Sequence, residues 1–308
     1  MTFDKGSWNS FIDKTEENHR KICDIDIVDL AKKYGTPTFI LFEKIIEDNF
    51  KEYNASLKNE YPDDYLICYA VKSNPNIYLL NLLSTLGSGA DVASEFELQL
   101  ALDAKIPKEK IRANGNCKSE TYLEKCIDKG IIINVDPEDE LNIINNISGQ
   151  LGKNAIINIR LSGFPLKNVT SRAISTFEPN DWKIIKEKIK NTRKVNYTWA
   201  NELIGYEYNS DIDDIEWIGE ELSCEYTPNT FIQNLFNKKY SEEKSFKERL
   251  NDIGTPRFVI EPGRSMIGNA CVTITKVGHI SKTPIGENLV HVDTGVNTYT
   301  VFQNNYIE

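Results

Sequence analysis

The sequence predicts a (β/α)8 TIM-type barrel followed by the start of a second, all-β domain. Short apolar runs alternate with amphipathic stretches from Leu66 onward, the pattern of a parallel sheet with crossover helices. Eight such runs fit within about two hundred residues, which suits a closed barrel better than an open sheet. The first run is not followed by the glycine-rich phosphate loop that an open doubly wound fold would carry.

Taken in order, residues 8–35 read as helix-rich and stop at Lys33-Tyr34-Gly35, with Thr36-Pro37 beyond, because glycine closes a helix and proline cannot continue one. Thr38–Phe42 reads as a short strand and Glu43–Lys58 as a helix. The strand runs are 66–71, 90–93, 111–114, 131–135, 155–161, 195–199, 214–218 and 257–261, with helices expected at 76–86, 95–104, 119–129, 137–147 and 181–191. The link between the sixth and seventh runs is only about fifteen residues, which leaves little room for a crossover helix. Beyond residue 271 the texture turns β-rich, as in Val272–Val277 and Leu289–Asp293. The expected organisation is an N-terminal helical segment over 1–38, a barrel over 39–270 and a partial C-terminal β-domain over 271–308.

The chain has 308 residues, with 46 acidic against 36 basic side chains and a net charge of −10. Its lysines are dispersed, so nucleic acid and anionic membrane surfaces are excluded as partners. No run approaches the roughly eighteen apolar residues of a membrane helix, and Met1-Thr2-Phe3-Asp4-Lys5 lacks a signal-peptide core, so a cytoplasmic protein is expected. The six cysteines show neither CxxC spacing nor a neighbouring histidine cluster, which argues against a metal site or a disulfide framework.

Barrel enzymes carry their chemistry at the C-terminal ends of the strands, so the strand-end residues are the candidates. They are Lys72 after the first run, Asp91 in Gly89–Ser94, Asn114-Gly115-Asn116 after the third, and Glu261-Pro262-Gly263-Arg264 after the last. A lysine ending a buried strand is partly desolvated, which favours the free amine that forms a Schiff base with an aldehyde. Each feature has a plainer reading by itself: Lys72 as a solvated lysine before an Asn-Pro turn, Asp91 as a helix cap, Glu-Pro-Gly-Arg as an ordinary turn. Their common position at strand ends favours a shared site.

The segments Tyr69–Asn74, Gly89–Ser94 with Glu97-Leu98, Asn114–Ser119, Asn134-Val135-Asp136 with Glu140-Leu141, and Glu261–Arg264 resemble, in this order, the motifs of fold-type III pyridoxal-phosphate-dependent amino-acid decarboxylases. The diaminopimelate and ornithine decarboxylase group is the nearest, over about residues 30–161 and 256–297. This resemblance implies an alanine-racemase-like barrel, pyridoxal 5'-phosphate as cofactor, and a lyase of amino-acid metabolism acting on a basic or diamino acid of the diaminopimelate, lysine or ornithine type. It implies that Lys72 forms the Schiff base, that Asp91 tunes the protonation of that lysine, and that Glu261 binds the pyridine nitrogen. Gly263 would offer a backbone N–H to the cofactor phosphate, Arg264 a guanidinium to phosphate or substrate carboxylate, and Gly219 would belong to the phosphate cradle. Racemases of this barrel class place an arginine where Glu261 stands, which favours decarboxylation. The resemblance also implies a homodimer, because relatives complete each site from the partner subunit.

The chain departs from the pattern in four places. It has no histidine from residue 20 to 278, where relatives stack one on the cofactor ring, although Trp199 could supply a flat surface. Glu220 and Glu221 follow Gly219 in the phosphate cradle, and Ser171-Arg172-Ala173-Ile174 replaces a turn that carries an aromatic and a glycine. The Cys-Glu motif and tyrosine of the relatives' last domain have no counterpart, and neither Cys224 nor Cys271 matches them. The alternative is therefore a degenerate homologue that acts as a binding or regulatory protein, with an amino-acid racemase as the third reading.

Overall fold

The computed structural model describes residues 12–16, 19–62, 64–136, 138–159, 197–199, 202–204, 227–237, 245–252, 257–286 and 288–295. The N-terminal part is not the helical segment expected over 8–35. Strands β1 (Ile12–Lys14), β2 (Arg20–Ile22) and β3 (Ile25–Asp26) form an antiparallel meander, and among the described residues of this part only α1 (Ile27–Tyr34) is helical. The turn between β2 and β3 places Cys23 and Asp24 at φ 50° and 64°, the left-handed pair that suits a tight hairpin but here lacks a glycine to advertise it. Asp26 then caps α1, its carboxylate accepting from the Val28 N–H at 2.7 Å, and Gly35 ends it where expected. Strand β4 (Thr38–Leu41) leads into α2 (Glu43–Glu60).

The barrel sequence follows with a repeated local grammar. Strand β5 (Tyr65–Ala70) is buried from Leu66 onward and passes through a single 3-10 turn, Val71–Ser73, into α3 (Ile77–Leu86). Then come β6 (Gly89–Val92), α4 (Glu95–Asp103), β7 (Ile111–Ala113), α5 (Glu120–Lys129), β8 (Ile132–Val135), α6 (Glu138–Leu151) and β9 (Ala155–Ile159). Asn76, Ser94 and Ser119 cap the helices α3, α4 and α5 with side-chain oxygens. Gly87 and Gly130 close α3 and α5 in the left-handed conformation. Further on lie β10 (Tyr197–Trp199), β11 (Glu202–Ile204), α7 (Pro228–Asn237), α8 (Phe246–Asp252), β12 (Arg257–Ile260) and the short α9 (Arg264–Ile267). The chain continues into β13 (Cys271–Ile274), β14 (Val277–Lys282) and β15 (Asn288–Val292).

Eight strands form one sheet in the order β10-β9-β8-β7-β6-β5-β12-β11, and every pairing within it is parallel. The first strand, β5, lies between β6 and the last, β12, so the sheet joins the beginning of the barrel sequence to its end, as a closed barrel requires. Burial on both faces explains why β5 reads as a continuous apolar run rather than an alternating one. The strand expected at 214–218 and the helix expected at 181–191 lie outside the described residues, while β11 takes the place beside β12. Helices α7 and α8 dock through an aromatic cluster in which Phe236 meets Phe258 edge-on at 5.0 Å and stacks on Tyr61 at 5.6 Å.

The chain groups into two compact units: Met1–Ile46 with Glu216–Thr227 and Ile267–Glu308, and Glu47–Ile215 with Pro228–Met266. The first contains an antiparallel pair of β4 with β13 and the β14–β15 hairpin, so the strand at 38–41 pairs with the C-terminal β structure and not with the barrel sheet. The second contains the barrel sheet.

Gly89 opens β6 in a space with no room for a side chain. A Cβ there would meet the Lys110 carbonyl oxygen at 2.2 Å and Cys68 Sγ at 2.8 Å. Gly89→Ala is therefore expected to destabilise the barrel by roughly 1–3 kcal/mol, the usual cost of overpacking. Thermal denaturation checks this, and a melting temperature equal to wild type would refute it.

Candidate active site

The end of β5 presents Lys72 at the sheet's C-terminal edge. Val71 is buried, while Lys72 is exposed, so the partial desolvation expected of a lysine ending a buried strand is not observed: the chain leaves the sheet in a 3-10 turn that carries Lys72 out of the core. The turn closes with the Asn74 N–H on the Val71 carbonyl at 3.1 Å, and the Tyr69 hydroxyl donates to the Asn74 carbonyl at 3.2 Å. The backbone N–H of Ala70 donates to the Pro262 carbonyl at 3.1 Å, which ties the strand end before Lys72 to the Glu261-Pro262-Gly263 turn after β12. That turn is anchored in its own right. Met266 N–H donates to the Gly263 carbonyl at 3.0 Å, the Asn49 amide to the Met266 carbonyl at 2.8 Å, and the Tyr53 hydroxyl to Ser265 Oγ at 2.8 Å.

Asp91 lies across from Ala70 in the β5–β6 register and is 5% exposed, and Glu261 is 9% exposed. Two carboxylates buried this deeply need hydrogen-bond donors. Asn114, the residue after β7, supplies one to each: its Nδ2 donates to Asp91 Oδ1 at 2.5 Å and to Glu261 Oε1 at 3.0 Å. Asn134 Nδ2 donates to Asn114 Oδ1 at 2.8 Å, and Asn158 Nδ2 to Asn134 Oδ1 at 2.9 Å. An asparagine row thus crosses β9, β8 and the end of β7 and terminates on two acids.

Beside this row lies a buried ion pair. Lys118 Nζ, with a side chain 0% exposed, contacts Glu140 at 3.0 Å and 3.2 Å and donates to the Gly115 carbonyl at 2.8 Å. Glu140 also accepts from the Asp136 N–H at 3.3 Å. Burial pushes the Glu140 carboxyl above its ordinary value, and the Lys118 ammonium pulls part of that shift back. Gly115 sits at φ 118°, with the Ala93 carbonyl oxygen 3.2 Å from where a Cβ would be, so this loop needs glycine. Burial also pushes the Cys126 thiol up to about 12, which makes it an inert filler of the helix–sheet interface.

Of the residues expected at the site, Asp91 and Glu261 are joined through Asn114, and the strand end that precedes Lys72 is tied by the Ala70–Pro262 backbone bond to the turn that contains Gly263. Arg264 opens α9 and is exposed. Gly219, Glu220, Glu221 and Ser171–Ile174 lie outside the described residues, and Trp199 is a β10 residue. The role of Asn134 and Asn158 was not anticipated. Its trace in the sequence is the repeated Ile132-Ile133-Asn134-Val135 and Ile156-Ile157-Asn158-Ile159, where a carboxamide interrupts an apolar strand and calls for a buried partner.

Lys72 and the Glu261–Arg264 turn stand at the C-terminal ends of the adjacent strands β5 and β12, and an amine, a carboxylate, a guanidinium and a glycine N–H are groups of the kind that can hold an aldehyde cofactor bearing a phosphate. The family described as "Pyridoxal-dependent decarboxylase, pyridoxal binding domain" matches residues 44–177. The diaminopimelate decarboxylase of Aquifex aeolicus is 30% identical over 315 residues, covering 89% of this chain and 70% of that protein. The crystal structure of diaminopimelate decarboxylase from Methanocaldococcus jannaschii superposes with a TM-score of 0.76 at 25% identity, covering 94% of this chain and 74% of that one. The structure of that enzyme in co-complex with L-lysine matches in fold with a TM-score of 0.76 at 23% identity, covering 96% of this chain and 77% of that one. The chain belongs to the fold-type III pyridoxal-phosphate-dependent amino-acid decarboxylase family, and its cofactor is pyridoxal 5'-phosphate. Among the described residues, no helix is long and apolar enough to cross a membrane.

Proposed function

We propose that this chain decarboxylates a diamino acid of the diaminopimelate type, with Lys72 as the covalent anchor of the cofactor aldehyde. The observation that carries the proposal is Glu261, a buried carboxylate at the end of the strand beside β5, oriented by an amide N–H. When bound, pyridoxal phosphate supplies the electron sink that takes up the electrons left as carbon dioxide departs. In this reading Glu261 holds a proton on the ring nitrogen, a role that an arginine in its place would reverse, so its identity supports decarboxylation over racemisation. Asp91, opposite Ala70 in the β5–β6 register, would tune the protonation of Lys72. Gly263 would offer a backbone N–H to the phosphate, Arg264 a guanidinium to the phosphate or the substrate carboxylate, and Gly219 would belong to the phosphate cradle. The names of the relatives support a diaminopimelate substrate, and the removal of one carboxylate from it gives lysine, the compound bound in the archaeal relative. A homodimer is proposed on the same family grounds.

The test is carbon dioxide release by the cofactor-loaded protein from meso-diaminopimelate, L-lysine and L-ornithine. Diaminopimelate is expected to be the fastest, with lysine as product. Release no faster than with free cofactor from all three would replace this reading with the non-catalytic binding protein. Racemisation of one enantiomer without gas release would replace it with the racemase.

A further inference from the structure

The geometry points to Asn114 as a positioning residue that sets the direction of a one-way hydrogen-bond relay, Asn158 to Asn134 to Asn114, and thereby aims Glu261 at the cofactor's ring nitrogen. This rests on the cofactor reading above and deepens it.

The direction of the relay follows from chemistry. A carboxyl oxygen that carries no proton can only accept a hydrogen bond, and the atom of Asn114 that faces Asp91 Oδ1 and Glu261 Oε1 is its NH2. Its carbonyl oxygen then faces the other way and needs a donor, which Asn134 Nδ2 provides at 2.8 Å. The same logic passes to Asn158 Nδ2, which donates to Asn134 Oδ1 at 2.9 Å. The row is held in register by the parallel pairing of β8 with β9, which puts Asn134 directly opposite Asn158. Both hydrogens of the Asn114 amide are committed to anions and its oxygen is occupied, so the side chain cannot flip without breaking three bonds at once.

Asn114 therefore does two things for Glu261. It bridges the Asp91 and Glu261 carboxyl groups through one amide nitrogen, and by holding Glu261 Oε1 it fixes the orientation of that carboxyl group. The strands on which the row is built are rigid sheet elements, the support that precise placement requires. A misplaced Glu261 would leave the ring nitrogen less fully protonated, and small displacements of this kind cost on the order of 10²-fold in rate.

The experiment loads wild type, Asn114→Leu, Asn114→Ser and Asn134→Leu with cofactor labelled with 15N in the ring. The 15N chemical shift of the ring nitrogen is recorded beside kcat, KM for diaminopimelate and the melting temperature. Wild type is expected to show a protonated-type shift. Asn114→Leu should move that shift toward the neutral form and lower kcat by about 10²-fold with KM within a few-fold. Asn114→Ser, which keeps one donor, should fall between, and Asn134→Leu should move the shift in the same direction by less. A ring-nitrogen shift equal to wild type in Asn114→Leu, whatever the melting temperature does, would overturn the relay while leaving the cofactor reading intact. If Asn114→Leu fails to fold, a wild-type shift in both Asn114→Ser and Asn134→Leu overturns it equally. A wild-type protein that shows no Lys72-dependent visible band with the cofactor would instead overturn the reading on which the relay rests.

Discussion

Lys72→Ala is expected to abolish the visible absorption band of the cofactor-loaded protein and to lower turnover on the order of 10⁴- to 10⁶-fold, the scale seen when a covalent nucleophile is deleted. The lysine stands on an exposed 3-10 turn, and its neighbour Val71 carries the packing. The substitution should therefore change the unfolding free energy of the cofactor-free protein by no more than about half a kcal/mol, as surface changes do. The anchor can also be mapped directly. Borohydride reduction of the loaded wild type should fix the cofactor on the peptide that contains Lys72, as read by mass spectrometry. Fixation on another lysine, with Lys72 unmodified, would sink the assignment.

Lys118→Met is expected to cost about 3–5 kcal/mol, because it leaves Glu140 as a buried charge without its cation. Replacing both partners, as Lys118→Met with Glu140→Leu, should recover most of that loss, since paired apolar groups of similar volume are often as stable as a buried ion pair. The pH dependence has a definite sign. Glu140 already titrates above its ordinary value of 4.5, and removing Lys118 raises it further. A carboxyl with a raised folded-state value loses stability as the pH climbs from the unfolded value to the folded one. The deficit of Lys118→Met should thus be largest near neutrality and shrink as the pH falls toward 4.5, where protonation relieves the charge. Urea denaturation at several pH values measures it. A deficit that stays constant with pH would show that Glu140 is not its cause.

Most of the barrel was legible because its signals are local. Strands β5 to β9 are short apolar runs, Asn76, Ser94 and Ser119 mark helix starts, and Gly87 and Gly130 mark helix stops. Lys72, Asp91 and Glu261 stood out as polar residues at the ends of such runs. The N-terminal meander did not, because its charged and apolar residues fit a helical spacing as well as an alternating one, and its turn uses Cys23 and Asp24 in place of glycine. The asparagine row was illegible for another reason. Each asparagine is a single interruption of its own strand, and only the inter-strand register brings Asn134 and Asn158 side by side. The placement of β4 is likewise a matter of pairing: its partner β13 lies far along the chain, and no local pattern names it.

The contact between β5 and β12 has a consequence for how the protein matures. Asn114 and Glu261 are 147 positions apart, and the Ala70–Pro262 bond spans a longer stretch still. Long loops of this kind are closed late, after the entropy of the intervening chain has been overcome. The Asn114–Glu261 and Ala70–Pro262 bonds can therefore form only once β12 has docked beside β5. A ligand that binds only the finished ring stabilises it by mass action, about 2.7 kcal/mol at a hundred times its dissociation constant. Cofactor binding is therefore expected to raise the melting temperature of the folded protein.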